Sequence, residues 1–150
     1  MIQIEESIVV SLPRDRVFEF AASPENMPLW NPAVRESRAL GPLEPGAKVE
    51  QLVEILGRTF RAEYEVTRYE PSRRVAYTAT AGPVSVHGTM EFRAERGRTL
   101  VRWIVAGECP SFLRIAKGFL AARGRPEMRV CLQNLKRLVE EATQTQPASA

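Results

Sequence analysis

Metal-ligating and disulfide-forming residues are scarce in this sequence. It has one histidine, His87, and two cysteines, Cys109 and Cys131. No CxxC pair occurs, and one imidazole cannot complete a metal site with these thiols at a standard spacing. If the chain between the cysteines is mostly helical, they lie on the order of 30 Å apart at about 1.5 Å per residue. A disulfide needs Cα atoms within about 7 Å, so two free thiols in a reducing compartment are expected. No apolar run approaches the roughly 20 residues of a membrane span, so no integral membrane segment is expected. The start, MIQIEESIVV, carries two acids and no basic n-region, which does not read as a secretory signal and points to a cytoplasmic location. An arginine-rich arm, a zinc pattern and a helix-turn-helix pattern are all lacking. The net charge of +3 is spread over both signs along the chain, so no nucleic-acid partner is expected. There is no internal repeat and no linker.

What is present fits one domain over residues 1–143, with a polar tail, 144–150, expected to be flexible. IQIEESIVVSL (2–12) alternates loosely and is rich in β-branched residues, so a strand is expected. Pro13 stands where a helix can begin, and Val17, Phe18 and Ala21 share one helical face. A β region follows from Val34. Lys48 to Leu56 reads as a strand, with a hairpin at Gly57-Arg58. In RTFRAEYEVTRYE, Phe60, Ala62, Tyr64 and Val66 point to the dry side, and Arg61, Glu63, Glu65 and Thr67 to the wet side. Arg74 to Ala81 is another strand. Val84, Val86, Met90 and Phe92 form the dry side of the next, and a hairpin at ERGRT leads into the last, Leu100 to Glu108. From Ser111 the period becomes helical. Phe112, Ile115, Ala116 and Phe119 fall on one stripe; Met128, Cys131, Leu132, Leu135, Leu138, Val139 and Ala142 form a second. Pro126 either kinks this helix or begins its second segment. The class is α+β: a one-sided antiparallel sheet must cover its apolar face, and the C-terminal helix is the one large apolar element left to do it.

The stretch ASPENMPLWNP (22–32) sets a puzzle. Pro24, Pro28 and Pro32 break any long helix, yet Met27, Leu29 and Trp30 are too apolar for an ordinary solvent loop. The opening strand followed by PRDRVFEFAASPENMPLWNP resembles the signature of the START-like (SRPBCC) superfamily, in its polyketide cyclase/dehydrase-type branch, with a birch-pollen-allergen-like helix-grip fold. The matching parts are Pro13, Val17, Phe18, Ser23-Pro24-Glu25, Trp30 and Asn31-Pro32. Gly46, Gly57-Arg58-Thr59, Glu70-Pro71 and GRTLVRW (97–103) add to them. The resemblance spans roughly residues 2 to 142. It implies a helix-grip fold, a curved seven-stranded antiparallel sheet around a long C-terminal helix, with two short helices closing one end of a deep pocket. The prolines would then make the tight bend of the short-helix pair. Trp30 would be either an apolar surface near the pocket mouth or a plug between helix and sheet.

Pocket candidates are the dry-face strand residues and the inner helix stripe: Val49, Gln51, Val53, Tyr64, Tyr77, Met90, Trp103, Ile115 and Phe119, with Trp30 near the entrance. A buried Gln51 amide needs a partner, because an unsatisfied one costs roughly 1–3 kcal/mol. That partner is water, a neighbour such as a tyrosine hydroxyl, or a polar group of a ligand. Tyr64 and Tyr77 offer an apolar body with one hydrogen-bonding tip. His87 shares the wet phase with Ser85, Thr89 and Glu91; a bulge at Gly88 would turn it inward as a general acid/base. Cys109 reads as a small buried hydrophobe. Arg102 and Glu108 belong outside. Arg114, Lys117, Arg123, Arg125 and Arg129 are a solvated helix face or, with Arg123 leaning to the opening, a site for a ligand carboxylate or phosphate; a membrane-surface helix is the third reading, disfavoured because the opposite stripe is needed for the core.

Two functions remain. One is a carrier or sensor for a hydrophobic small molecule such as a lipid, a polyketide-like aromatic or an isoprenoid. The other is an aromatase/cyclase or dehydratase acting in the same cavity, with Tyr64, Tyr77 or His87 as weak catalytic candidates. The first is favoured, because alternation places no acid/base pair inward. No metal and no cofactor are expected, and the chain is expected to be a monomer or a homodimer.

Overall fold

The computed structural model describes residues 2–55, 57–81, 84–108 and 114–145, with side chains at 3–54, 57–79, 85–107 and 124–142. Strand β1 (Ile2–Val10) leads into helix α1 (Arg14–Ala22), a 3₁₀ turn (Pro24–Asn26) and the single-turn helix α2 (Met27–Trp30). Six strands follow: β2 (Val34–Ala39), β3 (Lys48–Ile55), β4 (Arg58–Glu70), β5 (Arg74–Ala81), β6 (Val84–Glu95) and β7 (Arg98–Glu108). Helix α3 (Arg114–Thr145) ends the described chain.

The strands form one antiparallel sheet in the order β1-β7-β6-β5-β4-β3-β2. Successive strands from β2 to β7 are hairpin neighbours, so local turns set most of the register. At the β6–β7 turn, Arg96 (φ 51°) and Gly97 (φ 79°) both take the left-handed conformation, the geometry whose twist matches a two-residue hairpin. β1 then returns to pair with β7 from Ile2↔Gly107 to Val10↔Thr99. Register slips occur at Val34/Glu36 and at Val66/Arg68, and the ladder runs evenly through Gly88.

Several local expectations change. β1 stops at Val10, not Leu12. Leu12 instead turns its carbonyl onto the buried Thr99, whose Oγ1 donates to it at 2.7 Å. Pro13 stands just before the first helical residue, in an extended conformation (ψ 151°), so α1 starts at Arg14. Pro126 does not begin a second segment: α3 runs through it as one helix, at the loss of one backbone hydrogen bond. The expected helix start at Ser111, the strand end at Leu56 and the 144–150 tail lie, at least in part, outside the described residues.

Helix α3 packs along β1 and against α1 and α2. Met128, Cys131, Leu132, Leu135 and Val139 of its expected stripe are buried, Leu138 is half-buried, and Ala142 is exposed. Burying a side chain such as Leu132 or Leu135 contributes about 1.5–3 kcal/mol. Gly124 lets the helix come close to β1, since a β-carbon there would fall 2.5 Å from Ile4 Cδ1.

The interior has two parts. The larger joins Val17, Phe18, Trp30, Met90, Phe92, Val101 and Trp103 to the helix stripe. The smaller is Val49, Tyr64 and Val66, flanked by half-buried Met27, Tyr77 and Ala79. No helix among the described residues is long and apolar enough to cross a membrane.

Candidate ligand-binding site

Alternation sends Val49, Gln51 and Val53 of β3 to the same face as Tyr64, Ala62 and Phe60 of β4, which stand opposite them in register. Burial falls steadily along this row. Val66 is 2 % exposed, Tyr64 8 %, Ala62 half-buried and Phe60 48 %. Val49 is fully buried, whereas Gln51 and Val53 are half-buried. Phe60 was expected on the dry side; it keeps that face but lies beyond the cover of the interior. The inner surface thus opens toward solvent at the β3–β4 hairpin end.

Gln51 is held by the protein itself. Its Nε2 donates to Ser37 Oγ at 3.2 Å and to Met27 Sδ at 2.9 Å, tying β3 to the neighbouring strand and to α2. Of the partners considered for this amide, neighbours within the protein are present, a serine hydroxyl and a thioether in place of a tyrosine hydroxyl.

Tyr77 crosses the sheet. It sits on β5 opposite Gly88 of β6. Its ring lies over that glycine, because a β-carbon at residue 88 would come within 2.6 Å of Tyr77 Cε1. The hydroxyl thereby reaches Trp103 on β7, whose Nε1 donates to it at 3.2 Å. The Tyr64 and Tyr77 rings are 5.2 Å apart, inclined at 50°. On the far side of Trp103, Trp30 packs edge to face, with centroids 5.7 Å apart and planes at 78°. Val49, Met90 and Trp103 are all buried.

Trp30 is not at the entrance. It is 1 % exposed, and its carbonyl accepts from Asn134 Nδ2 of α3 at 3.3 Å. The prolines do make a tight bend, but that bend drives the indole into the interior. Its Nε1 is buried without a hydrogen-bond partner.

Burial is the main cause that raises the phenol of Tyr64 well above its ordinary range, with Tyr77 and Glu25 adding to it. Burial likewise raises Tyr77, against the opposing effect of the Trp103 hydrogen bond. Burial, then Glu127, pushes the Cys131 thiol up to about 11. At neutral pH all three hold their protons.

His87 faces outward, with Nδ1 3.0 Å from Thr78 Oγ1. The even ladder at Gly88 removes the bulge that would have turned it inward. Arg102 is outside, in ion pairs with Glu5 and with Glu91. Arg125 and Arg129 are exposed, and Arg129 pairs with Glu6 at 3.0 Å. The side chains of Ile115, Phe119 and Arg123 lie outside the described residues, as do those of Cys109, Glu108, Arg114 and Lys117. Among the described residues no cluster of three His, Cys, Asp or Glu could hold a metal ion. Sequence reasoning missed Met27 and Gly88 as parts of this site. A glycine inside a strand is a signal for close approach of another group, and at Gly88 that group is the Tyr77 ring.

The family model for polyketide cyclase / dehydrase and lipid transport matches residues 1–140. Among solved structures, the Zhui aromatase/cyclase from Streptomyces sp. R1128 is similar at 17 % identity and TM-score 0.82, covering 96 % of either chain. TTHA0849 from Thermus thermophilus is similar at 16 % identity and TM-score 0.80, covering 94 % of this chain and 99 % of the other. Ara h 8.0201 is similar at 13 % identity and TM-score 0.67, covering 93 % and 98 %. At these identities the likeness is one of fold. No curated protein matched the sequence.

Proposed function

The chain belongs to the polyketide cyclase / dehydrase and lipid transport family, and from that premise we propose that it is a cytoplasmic carrier or sensor of a hydrophobic small molecule. The ligand lies in a hollow between the inner face of the sheet and α3, entered at the β3–β4 hairpin end. The observation that carries this reading is the exposure gradient on β4, from 2 % at Val66 to 48 % at Phe60 on one inner face. A closed core would bury Phe60. A surface strand with no guest would not keep an apolar series facing inward past the end of its cover. Val49, Val53, Met90 and Trp103 supply apolar walls, and the Tyr64 and Tyr77 hydroxyls supply a few polar tips. Ile115, Phe119 and Arg123 belong to the same proposal as the helix-side wall and rim.

The catalytic alternative, a cyclase or dehydratase, needs an acid/base pair at the reacting atoms. Among the described residues, the inner face around the two tyrosines carries phenols, indoles, a thiol and an amide; the carboxylate that acts on Tyr64, Glu25, is exposed and accepts from Ala39 N, and His87 faces outward. The carrier reading is therefore preferred.

Native mass spectrometry of freshly purified protein, followed by solvent extraction, tests the proposal. A co-purifying apolar molecule, displaced by an added apolar fluorescent probe, is the expected result. Protein that carries nothing and takes up no apolar probe would overturn it.

A further inference from the structure

We propose that Met27 is a site of reversible oxidation by peroxides, and that its sulfoxide loosens the tie between the short-helix segment 24–30 and the sheet.

The sequence has four methionines. Met1 lies outside the described residues. Met90 and Met128 are 3 % and 5 % exposed. Met27 is half-buried, the least covered of the three described. Oxidation of a thioether follows exposure, which puts Met27 first.

Its place in the fold gives that oxidation a consequence. Met27 packs against both parts of the interior. Its sulfur accepts a hydrogen bond from Gln51 Nε2 at 2.9 Å, and the same nitrogen donates to Ser37 Oγ at 3.2 Å. One amide thus joins α2 to β3 and β2. Among the described residues, the other hydrogen bond from segment 24–30 to the sheet runs from Ala39 N to Glu25 Oε1, at 3.1 Å. The tie is slight, two hydrogen bonds, and a thioether is a weak acceptor.

The oxidant is a peroxide. A sulfur lone pair attacks one peroxide oxygen, and the S–O bond forms as the O–O bond breaks. The proton of the transferred oxygen passes to the displaced one, which leaves as water or an alcohol. Sulfur loses two electrons and the peroxide gains them. The new oxygen has no vacant place on either side. Toward Gln51 it would stand where the amide nitrogen is, because 2.9 Å leaves no room for an atom between sulfur and nitrogen. The amide must then move and give up Ser37. Away from Gln51 it sets a polar oxygen against the apolar side chains that Met27 packs on, which is unfavourable. Either arrangement draws α2 away from the sheet. A sulfoxide reductase restores the thioether: a dithiol is oxidised to a disulfide and the oxygen leaves as water.

The test treats purified protein with hydrogen peroxide over a time course. Peptide mass spectrometry follows each methionine, and hydrogen exchange follows the backbone. Met27 should oxidise about tenfold faster than Met90 and Met128, in keeping with its exposure. Exchange in the oxidised protein should rise about tenfold in 24–31 and 34–40, the size expected for losing one or two net hydrogen bonds. It should stay within about twofold in 98–107, which holds its own ladder. Sulfoxide reductase with a dithiol should restore the original exchange. Met27→Leu, a swap that conserves volume, should show no peroxide response relative to its own untreated state. Met27→Gln, a polar stand-in for the sulfoxide, should show the raised exchange without peroxide; if it does not fold, Met27→Leu decides the matter. Met27 oxidising no faster than the two buried methionines, or a sulfoxide that leaves exchange in 24–40 unchanged, would overturn the proposal. An equal rise in every segment would overturn it as well, because that is general unfolding and not a released tie.

Discussion

The ring of Tyr77 occupies the space that a side chain at residue 88 would need, so Gly88 and Tyr77 are a matched pair across β5 and β6. The match holds the Tyr77 hydroxyl at Trp103 and so links three adjacent strands on the inner face. It also explains a glycine in mid-strand, where lost side-chain packing and backbone entropy would otherwise count against it.

Gly88→Ala should therefore destabilise the protein by about 1–3 kcal/mol, the usual range for forcing atoms into a packed site. Gly107→Ala is the control, since its β-carbon would meet nothing nearer than Ser85 O at 3.8 Å. Urea titration of both variants checks this. Adding Tyr77→Ala to Gly88→Ala should cost less than the sum of the two single changes, because the first removes the atoms that the second strikes.

Trp103→Ala and Tyr64→Ala should weaken binding of an apolar fluorescent probe, while His87→Ala should leave it unchanged within error. The first two delete wall and hydroxyl on the inner face; His87 touches Thr78 on the outer face. Fluorescence titration at fixed protein concentration is the measurement. Because Trp103→Ala empties a buried aromatic site worth about 3–5 kcal/mol, Trp103→Phe is made alongside it to keep a folded comparison. Equal losses in the His87 variant would count against the site.

Thr99→Val should cost about 1–3 kcal/mol although it keeps the shape of the side chain. Thr99 is fully buried, and its Oγ1 is the donor to Leu12 O at 2.7 Å. Valine would leave that carbonyl without this hydrogen bond, and the cost of an unsatisfied buried group exceeds the net gain of an ordinary hydrogen bond. Thr99→Ser should recover most of the loss, read from chemical denaturation midpoints.

Stability should fall as pH rises through the alkaline range. Burial lifts the Cys131 thiol from 9.0 to about 11 and raises both Tyr64 and Tyr77 above 10.0. Between the unfolded and folded values the native state binds more protons than the unfolded state, so the slope of stability against pH is negative there. Well below pH 9 these three groups are protonated in both states, and their contribution is constant. Urea midpoints at intervals from pH 8 to 11 should decline from about pH 9 upward, and Cys131→Ala should remove the earliest part of the decline.

Much of the architecture was legible in the residues. Alternation named the faces of β4 residues 60–67 correctly, because a strand repeats every two residues; past the register slip at Val66/Arg68 the phase changes, and Tyr69 packs on Phe18. The helical stripe from Met128 to Val139 was legible for the same reason at a period of 3.6. The family resemblance in residues 13–32 supplied the sheet's seven strands and the helix-grip arrangement. What failed was depth. Phe60 has the right face and the wrong burial, Ala142 has the right stripe and lies past the end of its cover, and Trp30 sits deeper than its proline-rich context suggests.

By itself the sequence determined the faces of residues within an unbroken strand or helix, where the chain turns, and that one terminal helix must cover a one-sided sheet; these are properties of neighbours a few positions apart. Only the tertiary structure decided how far that cover extends, that the Trp103 indole donates to Tyr77 across an intervening strand, and that Gly88 is the clearance that permits it. Those facts depend on groups brought together from β5, β6 and β7, and short-range periodicity carries no information about contacts made at that separation.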